Sequence, residues 1–328
     1  MSGQRQLSER RELASRREFL QQSAAALALT GIPATRSVVE GAWTEATFGA
    51  TQDAAFSAKQ DERRKELWSL LGDLPTGHVP GPAKLVKTEK HDGYTLERLV
   101  LDLNGIEPVP AILLIPDKRQ ARAPGLLYIH WHAGMYDLGK EQLLKGVPAQ
   151  PAYAPVCAEK GIVTLAIDSW CFGERKSEAN GHTGEEDAFK EMLWKGRVLY
   201  GMMMFDEFRA FDYLAHRPEV DPQRLGAFGM SKEHGIYYYV PSLLKHFQTA
   251  EINELIVPRA HLSVNGRRDP LTPPPGVERI RDYLMPLYRK YGKEADCRIE
   301  LYDCAHVELP EMRKLILEWM DRYLVKEG

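Results

Sequence analysis

The chain lacks most of the features that point to common protein classes other than enzymes. Its four cysteines among 328 residues, Cys157, Cys171, Cys297 and Cys304, show no C-x-x-C spacing and no dense framework. That excludes a disulfide-stapled mini-domain and a cysteine zinc site. The four are expected as buried small apolar residues, with one bridge open to them in an oxidising compartment. Long basic blocks are absent, and 43 Lys and Arg against 46 Asp and Glu leave a net charge of -3, which is no footprint for a nucleic-acid partner. No apolar run approaches the roughly 20 residues of a bilayer-spanning helix, so stable membrane insertion is not expected. Internal repeats and low-complexity tracts are also missing. What is there is 44% hydrophobic residues, enough for a substantial core in one large or two ordinary domains. A small-molecule or neutral polymeric substrate suits this composition.

The amino terminus carries an address. Ser15-Arg16-Arg17-Glu18-Phe19-Leu20 precedes a small apolar run, Ser23 to Leu29, in the pattern of a twin-arginine export signal. The expectation is a removable segment over 1–34, the twin-arginine machinery as a partner, and a periplasmic or extracellular bacterial protein. Residues 35–83 read as an extension: 55–71 set Phe56, Leu67, Trp68, Leu70 and Leu71 among charges as an amphipathic helix, and Pro75 to Pro82 punctuate a linker.

A single domain is expected over 84–328. Stretches 84–91, 94–103 and 107–115 alternate apolar and polar residues and are joined by Asp92-Gly93 and Asn104-Gly105, which predicts an antiparallel meander. The pattern then becomes short continuous apolar runs, Leu126 to His130 and Ile162 to Asp168. Such runs belong to strands buried on both faces of a parallel sheet with crossover helices. Helices are predicted near 150–160, 186–215, 241–256, 276–291 and 309–325. Further strands are expected up to Ser231, over His261 to Asn265, and over Arg298 to Tyr302. The fold class is therefore α/β, a mostly parallel sheet with an antiparallel N-terminal meander and helices on both faces.

Parallel sheets hold their chemistry in the loops at the carboxyl ends of the strands. Leu225-Gly226-Ala227-Phe228-Gly229-Met230-Ser231 reads as a strand running into a tight turn with a serine at its tip, half of a G-x-S-x-G nucleophile elbow, since Glu233 occupies the second glycine position. Asp269 follows the next strand and His306 the one after. Singly, Asp269 is a routine turn residue and His306 a helix neighbour; together they complete the order Ser, Asp, His. The turn Trp131-His132-Ala133-Gly134 after the Leu126 strand is where one oxyanion donor is expected, from the backbone of His132 or Ala133, and the N–H of Lys232 is the other. His130 and His132 also form an H-x-H pair open to a metal reading.

His130 to Lys140, Asp168 to Arg175, the helix through Asp206 and Asp212, Arg224 to Ser231, the Asp269 loop and His306 together resemble the dienelactone hydrolase and acetyl xylan esterase-like branch of the α/β-hydrolases, over about residues 84–325. The resemblance implies hydrolysis of a carboxylic ester, such as an acetylated sugar or plant-polymer ester, through an acyl-enzyme and without a cofactor. It implies Ser231 as nucleophile, His306 as base and then acid, and Asp269 orienting the imidazole.

One departure is countable. Residues 232–268 number 37 and show one helix and one strand, whereas the family's path from nucleophile to acid takes two helices and an intervening strand. A strand with its crossover helix takes about 30 residues. One strand-helix unit is expected to be missing, leaving a sideways shift of the Asp269 strand or a gap in the sheet. The alternative function is then an impaired or inactive relic, at most a binding protein. Tyr237 to Tyr239 are either an aromatic lid or packing filler.

Overall fold

A computed structural model describes residues 54–132, 134–176, 184–231 and 238–326. The segment expected to direct export, Ala133, Lys232 and Tyr237 lie outside the described residues. No described helix is long and apolar enough to cross a membrane.

The first helix, α1 (Ala54–Leu70), forms where expected but lacks the amphipathic stripe. Its one buried residue is Gln60, whose side-chain amide donates to the carbonyls of Glu254 and Val257, each at 2.8 Å. Arg63 lies 3.8 Å over the Phe247 ring, and Trp68 packs on Phe208. The helix is thus docked by a buried amide and ring contacts, which leave no 3.6-residue apolar period in the sequence.

The meander β1 (Lys84–His91), β2 (Tyr94–Leu101) and β3 (Val109–Pro116) is followed by β4 (Ala123–Ile129), α2 (Ala154–Glu159) and β5 (Val163–Ile167). Strand β6 (Val220–Gly229) completes a six-stranded sheet in the order β1-β2-β3-β5-β4-β6. The β4–β5 and β4–β6 pairs are parallel; the meander joins antiparallel. Strand β5, Val-Thr-Leu-Ala-Ile, is buried throughout. Alternation explains this: Ile112, Leu114, Leu126 and Tyr128 pack on one face, Ala111, Leu113, Leu127 and Leu165 on the other. At the edge, β1 carries Lys84, Lys87 and Lys90, charges that discourage further strand pairing.

The predicted helix over 186–215 is two helices, α3 (Glu185–Trp194) and α4 (Leu199–Ala215). Gly196 breaks it with φ +72. Its carbonyl accepts the Asp73 N–H at 2.9 Å, and a Cβ on Gly72 would lie 2.7 Å from that oxygen. A distant backbone contact therefore overrides local helix propensity. The predicted helix over 241–256 is likewise split into α5 (Leu243–His246) and α6 (Thr249–Glu254), because Phe247 turns extended and is buried.

Strands β7 (His261–Gly266) and β8 (Cys297–Tyr302), with α7 (Pro274–Lys290) between them, form a separate parallel pair. Among the described residues β7 does not pair with β6. Both strands beside the break are incompletely covered: Ala227 and Gly229 are exposed, and Leu262 and Val264 half-buried. The last helix, α8 (Pro310–Met320), and the turn after it contribute Ile316, Met320 and Leu324 to the same apolar cluster as Phe228, Leu262 and Val264. Of the two consequences expected from a missing unit, a sideways shift or a gap, the sheet shows the gap.

Candidate active site

Strand β6 delivers Ser231. Gly229 lies opposite Ile129 of β4, and a Cβ there would sit 2.8 Å from the Ile129 carbonyl oxygen, so only glycine lets the strands close at this level. Two residues on, Ser231 adopts φ +30. A side chain in that sparsely occupied region costs on the order of 1–3 kcal/mol and persists only where the surroundings enforce it. The Ser231 hydroxyl is buried and makes no hydrogen bond among the described residues.

The other half of the site is built by β7 and β8 together. Their loops are laced by backbone bonds, Arg267 N–H to Tyr302 O at 2.7 Å and Arg268 N–H to Cys304 O at 2.9 Å. Gly266 permits this: a Cβ there would stand 2.4 Å from the Ala305 carbonyl oxygen and 2.5 Å from that of Cys304. Asp269, 5% exposed, accepts from the Leu271 N–H at 2.9 Å and the Thr272 hydroxyl at 2.9 Å. Its Oδ2 lies 2.6 Å from Nδ1 of His306. Burial pushes the Asp269 carboxyl up, but the bond from His306, those from Leu271 and Thr272, and the charge of His306 together hold it below its ordinary range. With Nδ1–H donated to Asp269, Nε2 of His306 is the basic nitrogen, and it is buried without a partner among the described residues.

The His306 loop is anchored two residues later. Glu308 accepts from Tyr153 at 2.8 Å and Gln150 at 3.1 Å and pairs with Arg313 at 2.9 Å, and Tyr128 of β4 bonds Gln150 at 3.1 Å. On the other side two buried ion pairs fix the loop after β5. Lys140 meets Asp168 at 2.6 Å, inside a cradle in which a Cβ on Gly139 or Gly173 would overlap the carboxylate. Arg175 meets Asp206 at 2.9 Å and donates to the Asp168 carbonyl at 2.8 Å.

The structure thus brings Asp269 and His306 together. Ser231 and His306 border one dipeptide: the Ser231 carbonyl accepts the His132 N–H at 3.4 Å, and the Trp131 ring lies 5.2 Å from that of His306. No hydrogen bond joins the Ser231 hydroxyl to Nε2. One expectation needs correction. The His132 N–H, proposed as an oxyanion donor, points instead at the Ser231 carbonyl, because the turn folds back on the end of β6. Ala133 and Lys232, the other expected donors, lie outside the described residues. The H-x-H pair is drawn apart: Nε2 of His130 accepts the Ser169 N–H at 3.1 Å, whereas Nε2 of His132 meets Glu185 at 2.9 Å. Among the described residues no group of three His, Cys, Asp or Glu is arranged to hold a metal ion. All four cysteines are free and buried.

Three supporting residues escaped the sequence reading. Thr272 had a signal, since Asp-x-x-Thr is an Asx-type turn. Glu308 and Glu185 had none, because Tyr153 and Gln150, the partners that tie Glu308 to the rest of the fold, lie over a hundred residues away and those of Glu185 about fifty.

No family model matches the chain. It is 36% identical to YtaP of Bacillus subtilis (strain 168), a protein whose hydrolase designation is provisional, over 303 aligned positions that cover 80% of this chain and 99% of YtaP. The chain belongs to the same hydrolase family as YtaP, and its fold is that of the α/β-hydrolases. Its structure is similar to an acetyl xylan esterase, provisionally so named, of Bacteroides fragilis NCTC 9343 (TM-score 0.61, 15% identity, 76% of this chain and 75% of that one). It is also similar to methylesterase BT1017 (TM-score 0.63, 19% identity, 88% and 68%) and to a glucuronoyl esterase from Solibacter usitatus (TM-score 0.58, 14% identity, 82% and 93%). At such identities the likeness is one of fold. The YtaP alignment also carries a difference in length. Eighty per cent of 328 residues is about 262, so roughly 40 of the 303 aligned positions face no residue of this α/β-hydrolase. That is the size of the strand and crossover helix absent between β6 and β7.

Proposed function

We propose that this α/β-hydrolase cleaves carboxylic esters, of small molecules or of acetylated sugars and plant polymers, with Ser231 as nucleophile. The observation that carries the reading is the 2.6 Å Asp269–His306 bond, which leaves a buried basic Nε2 beside the dipeptide that also borders Ser231. Nε2 takes the Ser231 proton as Oγ attacks the ester carbonyl, and the tetrahedral oxyanion forms toward the backbone N–H groups of Lys232 and Ala133. Nε2–H then protonates the departing alcohol, leaving an acyl-enzyme. Water repeats the sequence and releases the acid. Asp269, kept ionised, holds the imidazole tautomer and stabilises the imidazolium. The Ser231 to Nε2 contact has to close to about 3 Å on substrate binding, as catalytic hydrogen bonds that are loose in free enzymes do.

The test is turnover of p-nitrophenyl acetate. Ser231→Ala and His306→Ala should each lose about 10³-fold or more; turnover that survives Ser231→Ala unchanged overturns the assignment. A second reading, an impaired relic, is favoured by the open gap and by the missing Ser231–His306 bond. It predicts no turnover above buffer until the absent unit, grafted from YtaP after Ser231, restores it. For location the proposal is export through the twin-arginine route, and Arg16→Lys with Arg17→Lys should leave the protein in the cytoplasmic fraction.

A further inference from the structure

Beside Ser231 lies a second buried polar cluster that the proposed reaction does not use. Glu185, 4% exposed at the start of α3, accepts from the Tyr136 hydroxyl at 2.7 Å and from Nε2 of His132 at 2.9 Å. The Gly134 N–H donates to the opposite ring nitrogen, Nδ1, at 3.2 Å. These three bonds are consistent with one protonation pattern. A backbone N–H cannot donate to a protonated nitrogen, so Nδ1 carries no proton and Nε2 carries the one shared between the Glu185 carboxylate and the Tyr136 oxygen, each 2.9 Å away. The ring is boxed by Phe172, edge-on at 5.2 Å, and Phe172 stacks on Tyr136 at 4.8 Å. The backbone of His132 in turn reaches the Ser231 carbonyl at 3.4 Å. A carboxylate on α3 is therefore linked through one imidazole to the residue in the left-handed turn.

We infer that Glu185 and Tyr136 are positioning residues for Ser231: they hold His132 as the Nε2–H tautomer, so that the turn from Trp131 to Gly134 stays locked against the end of β6. This inference rests on the reading of Ser231 as nucleophile. Its energetic sense is clear. The His132–Ser231 backbone bond is long and weak by itself, and Ser231 occupies strained backbone, so the serine keeps its place only if the turn beside it is rigid. Removing the carboxylate leaves a ring free to change tautomer or rotate, and a misplacement of about 1 Å at a reacting group can cost about 10²-fold in rate.

The experiment compares Glu185→Gln and Tyr136→Phe with the parent. Active sites are counted by a fluorescent serine-directed phosphonate, so that kcat is expressed per competent site. Glu185→Gln should lower kcat per site about tenfold and Tyr136→Phe about threefold, with KM within twofold of the parent. Unchanged kcat per site in both variants, even with fewer sites or a lower Tm, means a merely structural cluster and overturns the inference. A second readout separates this from failure of the nucleophile assignment. The His132 tautomer is read from imidazole ¹⁵N shifts in the full chain, whether or not the protein turns over ester. Nε2–H in the parent and a mixed tautomer in Glu185→Gln uphold the positioning role, and identical spectra overturn it. Absence of parental turnover counts against Ser231 alone.

Discussion

Replacing Gly266 with alanine tests whether the two loops of the site are one unit. A Cβ at this position would fall 2.4 Å from the Ala305 carbonyl oxygen and 2.5 Å from that of Cys304. Both are backbone atoms of the loop that carries His306, so no side-chain rotation relieves the overlap. Ordinary van der Waals contact needs about 3.4 Å, so the His306 loop has to withdraw by about 1 Å. It is not free to do so, because Glu308 is tied to Tyr153, Gln150 and Arg313. Overpacking of this kind costs roughly 1–3 kcal/mol, and for a domain of this size that is a fall in Tm of about 2–12 °C. Activity should suffer more than stability, by 10-fold to 10²-fold, because the withdrawal separates His306 from Ser231 or Asp269. The assay is thermal unfolding together with p-nitrophenyl acetate turnover, with Gly276→Ala, whose Cβ meets nothing, as control. If Gly266→Ala matches Gly276→Ala in both readouts, the two loops are not packed as described.

Two further outcomes follow from buried charges. Arg175→Met removes the cation from Asp206, whose side chain is fully buried, and from the Asp168 carbonyl; breaking such a pair should cost about 3–5 kcal/mol, and Asp206→Asn in the same chain should recover part of it in urea unfolding. Asp212 has its carboxyl pushed up to about 6 by burial, against the opposing charges of Arg209 and His216. A raised carboxyl favours the protonated folded state, so the parent loses stability as pH rises from the unfolded value near about 4 through about 6. Asp212→Asn should be indistinguishable from the parent at pH 4 and more stable by about 1–3 kcal/mol above pH 7. A constant difference across that range would remove Asp212 as the cause.

Much of this was legible from residue order. Strands β4 and β5 are continuous apolar runs because both faces of the sheet are covered, and that burial writes itself into nearly every position. The Ser231, Asp269 and His306 positions were readable because each follows the end of a strand. The missing unit was countable, since 37 residues cannot hold two helices and a strand as well as the strand before Asp269. Other features depend on residues far apart in the chain. The break at Gly196 follows from the approach of Gly72, and α1 docks through Gln60, whose partners lie about 195 residues away.

The sequence by itself determined the fold class, the strand ends that bear the three site residues and the loss of one unit, since periodicity, turn residues and chain length act locally. Only the tertiary structure decided how that loss is absorbed. The sheet opens between β6 and β7 while α8 covers both sides, because burying Leu262, Val264 and Phe228 under one helix needs no strand pairing. It also decided that Asp269 and His306 stay bonded, since β7 and β8 carry both loops and lie on the same side of the break. Ser231 belongs to the other sheet, and its distance from His306 is set across the gap.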